Sequence, residues 1–309
     1  MSKNLAAAID LGTNTFQFLI AREDESGYHE IISIQETVKL GEGGINKGLI
    51  QPAAFERGIN AMIKFHELIL KHDIKKISAI ATSALRSATN GQDFIDEVKT
   101  RTGISIEIID GDKEAAYIYK GVKSAGCLSR KDSLIIDIGG GSVEFIIGNV
   151  DEIKWKRSFE IGCARLMDRF HRTDPIPPES ITALTLYLQD SLKDLFTATA
   201  GFSIENITGS SGAFETYAEI IEFGKGNPID LKKTKRYSFD KDEFLSLIEK
   251  LVLSSHQQRL AMEGIIPLRV DMIVTAALIT RFVMQNLEVY NVVMTTNSLK
   301  EGVLAEMMG

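Results

Sequence analysis

The sequence predicts an α/β protein built from two similar domains. Three observations support this prediction: strand-like and helical runs alternate along the 309 residues, one hairpin motif occurs twice, and 44% of the residues are hydrophobic. Alternating strands and helices are typical of α/β folds and not of all-β folds or helical bundles. A chain of this length and hydrophobic content can bury the cores of two domains.

The strand-like runs are short apolar stretches bounded by turn-forming residues. Strands are predicted at residues 5–9, 15–22, 28–37, 77–81, 104–109, 133–138, 143–148, 153–160, 204–208 and 289–294. Helices are predicted in the intervals. Within residues 52–72, apolar side chains recur at steps of three and four residues, which indicates one buried helical face. These side chains are Phe55, Ile59, Met62, Phe65 and Ile69.

Three further segments complete the second half of the chain. The proline-dense residues 173–180 predict a stiff connector into a helix that begins near Glu179. Asp240 and Glu243 predict a capping box at the start of a long amphipathic helix. Residues 269–288 are apolar nearly all round, so we expect a central, well-buried helix there.

The repeated motif consists of a strand, a glycine-containing turn and a returning strand. "AIDLGTNTFQFLI" begins at residue 8, and "IIDIGGGSVEFII" begins 127 residues later. A chance likeness between two hairpins is the alternative explanation, but the matches extend over the turn and both strands, which favours two similarly built domains. The matched residues are Asp10 and Asp137, Gly12 and Gly139, Thr15 and Ser142, Gln17 and Glu144, Phe18 and Phe145, and Ile20 and Ile147.

The turn chemistry predicts phosphate and metal binding. Glycine allows main-chain N–H groups to approach a ligand closely, and successive exposed N–H groups form an anion cradle. An aspartate in such a turn would repel phosphate unless a cation stood between them, so the pattern predicts a hard metal, Mg²⁺ or Mn²⁺. A flexible loop is the alternative for "GGGS" alone. The motif is neither a Walker A loop nor a GxGxxG turn followed by a helix.

Composition excludes several classes of protein. A net charge of −7 argues against general nucleic-acid binding. The chain begins with a strand pattern, without a leader, and contains no long apolar run, so we expect a cytoplasmic protein that does not enter a membrane. Cys127 and Cys163 lack the spacing of a zinc site or a disulfide framework, which predicts buried free thiols.

Six motifs together resemble the exopolyphosphatase and guanosine pentaphosphate phosphohydrolase family of the actin-like, Hsp70 and sugar-kinase superfamily. They follow one another in the family's order and at about its spacing, over nearly the whole chain. The motifs are "AAIDLGTNTFQFLIAR", "ATSALRSATNGQDF", "GDKEAAYIYKGV", "IIDIGGGSVEFIIG", "IGCARLMDRF" and "GSSGAFETYAEI".

The resemblance implies two ribonuclease-H-like, actin-like ATPase domains that flank an interdomain cleft. The first domain is expected at residues 1–121, with the C-terminal helix packing back on it, and the second at residues 122–309. The resemblance also makes a homodimer a reasonable expectation. Long family members carry a further C-terminal domain, and this chain ends without room for one, so processive degradation of long polymers is doubtful.

The resemblance also assigns roles to individual residues. Glu114 matches the glutamate that positions and deprotonates the attacking water; a solvated glutamate in the first turn of a helix is the alternative. Arg86 matches an arginine directed at the bound phosphates. We place Arg86 in a loop after a strand, with a surface arginine on a helix as the alternative. Lys113 stands where the usual pattern has a second acid, which leaves Glu114 as the candidate base. The metal ligands are expected to be Asp137 and Glu144, with Asp10 more weakly supported. The phosphate cradles are expected at Thr13, Asn14, Thr15, Gly139, Gly140, Gly141 and Ser142.

The expected activity is the release of terminal orthophosphate from inorganic polyphosphate by metal-assisted water attack. Guanosine pentaphosphate 5′-phosphohydrolase activity, with the same residues, is the nearest alternative. A superfamily kinase and a non-catalytic polyphosphate or nucleotide sensor are more distant alternatives. Lys120, Arg165 and Arg269 are candidate cations for the phosphate chain. The basic residues 232–236 are either a polyanion-binding patch or a solvated surface, and charge runs favour the latter.

Overall fold

The computed structural model describes residues 5–24 and 27–308. Its strands are β1 (Leu5–Leu11), β2 (Thr15–Asp24), β3 (Gly27–Thr37), β4 (Lys76–Ala81), β5 (Ile106–Ile108), β6 (Ser133–Ile138), β7 (Val143–Gly148), β8 (Ile153–Phe159), β9 (Asn206–Ser210), β10 (Arg236–Ser238) and β11 (Val292–Thr295). Its helices are α1 (Pro52–Lys71), α2 (Ser83–Ser87), α3 (Gly91–Thr102), α4 (Gly111–Ser124), α5 (Cys163–Phe170), α6 (Pro178–Ser191), α7 (Lys193–Thr199), α8 (Gly212–Gly224), α9 (Lys241–Leu253), α10 (His256–Leu260), α11 (Met272–Leu287) and α12 (Leu299–Met308).

The chain divides into two compact units. Unit 1 contains residues 1–124 and 299–309, and unit 2 contains residues 125–298. Helix α12 belongs to unit 1, where it packs on α4 and on strand β1. The division therefore falls at residues 124/125, three residues beyond the 121/122 boundary expected from the sequence, and residues 299–309 lie outside unit 2.

Both units contain the same five-stranded arrangement. The sheet of unit 1 has the order β3-β2-β1-β4-β5, and in the sheet of unit 2 the order β8-β7-β6-β9-β11 is followed by the extra edge strand β10. In unit 1, β2 pairs antiparallel with both β1 and β3, while β1 pairs parallel with β4. In unit 2, β7 pairs antiparallel with both β6 and β8, while β6 pairs parallel with β9. The predicted α/β class and the predicted internal repeat are confirmed, and each unit has the ribonuclease-H-like architecture of actin-like proteins. The expected interdomain cleft stays a prediction.

The predicted strands are present, with shifts at their ends. The strand predicted at 104–109 is confined to Ile106–Ile108, because Ile104 and Ile109 turn into the core on either side of it. Strand β10 was not predicted. It follows the basic run and is defined by its pairing with β11, which local sequence does not reveal.

Each unit has its own apolar core. In unit 1 the buried face of α1 packs against the sheet, and the ring of Phe65 stacks on that of Phe18 with centroids 4.9 Å apart. In unit 2 the predicted central helix is α11, which is buried along most of its length. Cys127 and Cys163 are buried free thiols, as predicted. Burial raises the pKa of the Cys163 thiol to about 12.

The predicted helix starts are partly confirmed. The Asp240 carboxylate accepts hydrogen bonds from the N–H groups of Asp242 and Glu243, so it caps α9. The Glu243 carboxylate pairs with Lys225 at 2.8 Å, so the reciprocal half of the predicted capping box is replaced by an ion pair. Ser255 and Gln258 form a complete capping box at α10.

An ionic cluster around a buried arginine lies in unit 2 between α5 and α11. The Arg259 side chain is fully buried; its guanidinium donates to the Val270 carbonyl at 2.5 Å and pairs with Asp174. The His171 side chain lies 3.3 Å from the Asp174 carboxylate. Burial lowers the pKa of His171, the charge of Arg259 adds to this effect, and Asp174 opposes it.

Among the residues that the structure describes, no helix combines the length and the apolar character that crossing a membrane requires.

Candidate functional site

The two predicted hairpins have the same turn. In β1 and β2 the Gly12 N–H donates to the Thr15 carbonyl at 3.1 Å, and in β6 and β7 the Gly139 N–H donates to the Ser142 carbonyl at 3.1 Å. A Cβ atom on Gly12 would lie 2.9 Å from the Thr15 carbonyl oxygen, and one on Gly139 would lie 3.0 Å from that of Ser142. Glycine is therefore required in both turns because the backbone closes on itself there.

The carbonyl groups of the second turn are held by the first turn of α5. Hydrogen bonds run from the N–H of Cys163 to the Gly139 carbonyl at 2.9 Å and from the N–H of Ala164 to the Gly140 carbonyl at 2.8 Å. The N–H of Gly162 donates to the Gly141 carbonyl at 3.1 Å. These three hydrogen bonds fix the glycine loop against the start of α5.

The turn of the first hairpin is held in a similar way by the segment that follows β3. The Asn14 carbonyl accepts from the N–H groups of Val38 at 3.0 Å and Lys39 at 2.8 Å, and the Thr13 carbonyl accepts from Gly41 at 3.1 Å. Thr13 is buried. As in the second turn, the loop carbonyls are occupied by other parts of the same unit.

Asp137 and Glu144 lie side by side in unit 2. They are directly opposite each other in the antiparallel pair of β6 and β7, so both side chains are on one face of the sheet. Both are buried, at 5% and 2% exposure. The Ser211 hydroxyl donates to Asp137 Oδ1 at 2.5 Å, and the Ser158 hydroxyl donates to Glu144 Oε1 at 2.6 Å. In unit 1 the corresponding pair is Asp10 and Gln17, so one unit carries two acids and the other carries one.

The donor chemistry of unit 2 fits a hard divalent cation. Mg²⁺ prefers oxygen ligands, retains several waters and is usually held by only one or two carboxylates. Asp137 and Glu144 supply such a pair, and the hydroxyl groups beside them are also hard donors. Among the described residues no group of three His, Cys, Asp or Glu side chains suitable for a metal ion is found. Asp10 lies in unit 1, at the corresponding place on β1.

Glu114 and Arg86 form an ion pair in unit 1. Glu114 lies in the first turn of α4 and is 5% exposed. Arg86 Nη1 donates to Glu114 Oε2 at 2.9 Å and to the Ile109 carbonyl at 3.0 Å. The prediction of a loop for Arg86 is wrong, because the residue lies in the short helix α2. Helix α2 has only five residues, which are too few to show a helical period in the sequence.

Two lysines of α4 form ion pairs with acidic residues of unit 1. Lys113 pairs with Glu107 at 2.5 Å, and Lys120 pairs with Glu306 on α12. Lys113 therefore points its charge at an acid on β5 and not at Glu114.

Two arginines of unit 2 brace glycine-containing turns. Arg165 Nε donates to the Gly141 carbonyl at 2.8 Å, and its Nη2 pairs with Glu160 at 2.7 Å. The Arg269 guanidinium covers Gly212, where a Cβ atom would lie 2.2 Å from its Nη2, and pairs with Glu215 at 3.1 Å. These contacts make both residues supports for the backbone of the turns.

Sequence reasoning missed Ser158 and Ser211. Ser158 lies opposite Glu144 in the pairing of β7 and β8, so only the strand register reveals its position. Ser211 follows β9 in the "GSSG" motif, and nothing in that motif marks its hydroxyl as a partner of Asp137. A search for hydroxyl residues beside the two carboxylates would have needed the sheet order.

The fold and these residues define a class. The two units with one strand order, each opening on a hairpin with an acidic residue and a glycine turn, have the two-domain actin-like fold. Residues 19–309 match the model of the Ppx/GppA phosphatase family, and the chain belongs to that family.

Individual relatives agree with this membership. The crystal structure of an exopolyphosphatase from Cytophaga hutchinsonii is 39% identical, with a TM-score of 0.95 over 98% of this chain and 97% of that one. A guanosine-5′-triphosphate,3′-diphosphate pyrophosphatase of Vibrio cholerae is 29% identical over 100% of this chain and 60% of its own length. This chain thus spans about 60% of that curated relative. The Ppx/GppA enzyme of Aquifex aeolicus, 22% identical with a TM-score of 0.81, shares the fold.

Proposed function

We propose that this protein is an exopolyphosphatase, which removes terminal orthophosphate from inorganic polyphosphate by attack of water. The observation that carries the proposal is the likeness to the Cytophaga exopolyphosphatase, which extends over nearly the full length of both chains at 39% identity. The Vibrio relative, in contrast, is covered over only 60% of its length.

Glu114 is proposed as the general base. It would accept a proton from water as the water oxygen attacks the terminal phosphorus, while the phosphoanhydride bond breaks and its electron pair stays on the leaving phosphate oxygen. The pairing with Arg86 at 2.9 Å supports this role, because it fixes the direction of the carboxylate. Positioning and electrostatics account for most of the catalysis of phosphoryl transfer.

Arg86 is proposed as the arginine that also contacts the terminal phosphoryl group. Its guanidinium presents donors in a planar fork whose shape matches phosphate oxygens. One nitrogen, Nη1, donates to Glu114, so the guanidinium lies beside the proposed base.

The two hairpin turns are proposed to bind phosphate oxygens through their N–H groups. The proposed phosphate-binding residues are Thr13, Asn14, Thr15, Gly139, Gly140, Gly141 and Ser142. Among them Gly139 would contribute by closing the turn, because its own N–H donates to the Ser142 carbonyl. Family members generally depend on a divalent metal, and we propose Mg²⁺ or Mn²⁺, held by Asp137 and Glu144, with Asp10 as a further ligand. When bound, such a cation would neutralise charge on the phosphoryl oxygens. The joint action of the two turns and a homodimeric state stay predictions.

The first prediction tests the base. Glu114→Gln preserves the size of the side chain but removes its ability to accept a proton. We expect turnover of polyphosphate to fall by about 10²–10⁴-fold, with polyphosphate binding retained. Phosphate release and polyphosphate binding are measured on the same preparations, with Glu97→Gln as the matched control, since half-buried Glu97 also pairs with an arginine, Arg101, at 2.6 Å. Full turnover by Glu114→Gln would contradict the assignment.

Guanosine pentaphosphate 5′-phosphohydrolase activity is the second candidate, and the name of the Vibrio relative supports it. The two activities require the same attack on a terminal phosphorus. Initial rates on short polyphosphate, long polyphosphate and guanosine pentaphosphate at equal concentrations of terminal phosphoryl groups would distinguish them. A clear preference for the nucleotide would replace the exopolyphosphatase proposal.

A further inference from the structure

Four neighbouring strands of unit 2 present a row of oxygen-bearing side chains. Ser158 on β8 is opposite Glu144 on β7, and Glu144 is opposite Asp137 on β6. Directly opposite residues place their side chains on the same face of a sheet. At the far end, Ser211 follows strand β9 and donates to Asp137. The order across the sheet is therefore hydroxyl, carboxylate, carboxylate, hydroxyl.

Ser211 reaches this row only because its backbone is strained. Regular register places Ser210 beside Asp137, but the Ser210 hydroxyl donates to the Asn297 carbonyl at 3.2 Å. Ser211 has φ 68° and ψ 177°, a region that is almost confined to glycine. This conformation turns the Ser211 hydroxyl towards Asp137. Strain of this kind persists only where the surrounding structure holds it, and it is concentrated at functional sites.

The two hydroxyl groups bond one oxygen of each acid. Ser211 holds Asp137 Oδ1 at 2.5 Å, and Ser158 holds Glu144 Oε1 at 2.6 Å. A carboxylate is planar, so fixing one oxygen also fixes the direction of the other. Hydrogen bonds from neighbouring residues to metal-binding carboxylates orient those ligands, and their loss typically weakens metal binding by 10–100-fold.

We propose that Ser158 and Ser211 are positioning residues, which hold Glu144 and Asp137 in the orientation that binds the divalent cation. This inference rests on the proposed function, since that function gives the two acids their metal. Neither serine is assigned contact with substrate. The alternative is that the hydroxyl groups only satisfy buried carboxylates, in which case their removal would change stability without a specific change in metal binding.

The test measures binding of Mn²⁺ to the full chain by isothermal titration calorimetry, in the absence of substrate. Ser158→Thr and Ser158→Val have nearly the same shape and differ in the hydroxyl. We expect the threonine variant to bind Mn²⁺ like the unaltered chain and the valine variant to bind about 10–100-fold more weakly. Ser158 is half-buried, and threonine keeps the hydroxyl while adding a single methyl group.

At position 211 the comparison is between glycine and alanine. Both Ser211→Gly and Ser211→Ala lack the hydroxyl, but glycine adopts the strained backbone without penalty. We expect both variants to lose the same 10–100-fold or so in Mn²⁺ affinity, while the glycine variant melts at the higher temperature. A structural role alone predicts instead that Mn²⁺ affinity is unchanged or follows the melting temperature.

Ser133→Ala is the matched control. Its hydroxyl donates to Asn206 Oδ1 at 2.9 Å at the opposite end of β6, so the variant deletes a buried hydroxyl from the same sheet but not from the row. The proposal is overturned if Ser158→Val and Ser211→Gly bind Mn²⁺ as Ser133→Ala does. It is also overturned if Asp137→Ala leaves Mn²⁺ binding intact, or if the unaltered chain binds no Mn²⁺.

Failure of the proposed function gives a different result. Suppose that the Mn²⁺ affinities of the unaltered chain and its variants follow the expected order, but the unaltered chain releases no phosphate from polyphosphate. The exopolyphosphatase proposal is then wrong and the positioning role stands. If phosphate is released but the variants bind Mn²⁺ equally well, the positioning role is wrong.

Discussion

At the scale of single residues, buried charge is compensated locally. Glu114 is paired with Arg86, and the fully buried Arg259 is paired with Asp174. Removing charge from water is unfavourable unless a partner and hydrogen bonds replace the lost hydration. The Asp174 carboxylate illustrates the balance: burial acts to raise its pKa, but hydrogen bonds from Arg259 and the His256 N–H outweigh burial, and the pKa is lowered.

His171 makes the stability of unit 2 depend on pH. Burial lowers its pKa in the folded state, so the unfolded chain binds the proton first as the pH falls below the ordinary value of about 6.5. The contribution of neutral His171 is complete above that pH and is lost as the pH falls through the folded-state pKa. We therefore expect the free energy of unfolding to decrease as the pH falls below about 6.5.

The measurement is urea unfolding of unit 2 between about pH 7.5 and pH 5, followed by the fluorescence of Trp155. Trp155 is the sole tryptophan of the chain and lies on β8, so it reports on unit 2. His171→Gln should give the flatter profile, and the exposed His29→Gln serves as control. Identical slopes for His171→Gln and the unaltered chain would exclude His171 as the origin of the effect.

Site residues could be predicted from the sequence where they belong to a local motif. Asp137 and Glu144 were found because they recur, with one change, as Asp10 and Gln17. Ser158 could not be predicted, because its position beside Glu144 depends on the pairing of β7 with β8. The unusual φ of Ser211 could not be predicted, since serine itself gives no sign of a glycine-like backbone.

At the scale of elements, α5 acts as a brace for the glycine turn of unit 2. Three consecutive N–H groups at its start donate to the carbonyls of Gly139, Gly140 and Gly141. This contact requires a very close approach: a Cβ atom on Gly162 would lie 2.4 Å from the carbonyl carbons of Gly140 and Gly141. No flexible side chain is involved, so only a movement of the backbone could relieve such a clash.

Gly162→Ala should therefore separate α5 from the turn. We expect a loss of about 1–3 kcal/mol in the free energy of unfolding, the usual range for overpacking, together with weaker phosphate binding. Trp155 fluorescence in urea measures the first effect, and phosphate titration the second.

Gly224→Ala is the matched control, because no heavy atom lies within 4 Å of the added Cβ and the residue is helical. It should be neutral or stabilising by about 0.5–1 kcal/mol. Equal stability of the two alanine variants would show that the start of α5 is not fixed by its contact with the turn.

Elements with a clear period were predictable and short ones were not. The apolar steps of α1 and the apolar character of α11 placed both helices correctly. Helix α2 has five residues and β10 has three, which is too few for a period of either kind. Helix α2 comes immediately after strand β4, and β10 is defined by its pairing with β11.

At the scale of the whole molecule, the chain builds the same sheet twice. The order β3-β2-β1-β4-β5 in unit 1 corresponds to the order β8-β7-β6-β9-β11 in unit 2. The similarity was visible in the sequence because the hairpin motif repeats. The return of α12 to unit 1 is a tertiary feature that depends on its packing against α4 and β1.

At Gly302 the backbone of α12 lies very close to that of α4. A Cβ atom there would lie 1.8 Å from the Tyr117 carbonyl oxygen. We expect Gly302→Ala to destabilise unit 1 by about 3 kcal/mol, at the upper end for overpacking. Hydrogen exchange should become faster in residues 5–24 and 27–124 and stay unchanged in 125–298. Faster exchange in both ranges alike would mean that the two units do not unfold separately.

The assignment of α12 to unit 1 has a consequence during translation. The ribosome delivers residues 125–298 as one uninterrupted stretch, so unit 2 can mature as soon as that stretch has emerged. Unit 1 starts earlier but must wait, with the surface of α4 and β1 uncovered, until the nascent chain has added residues 299–308. The half that is made first is therefore the half that is finished last.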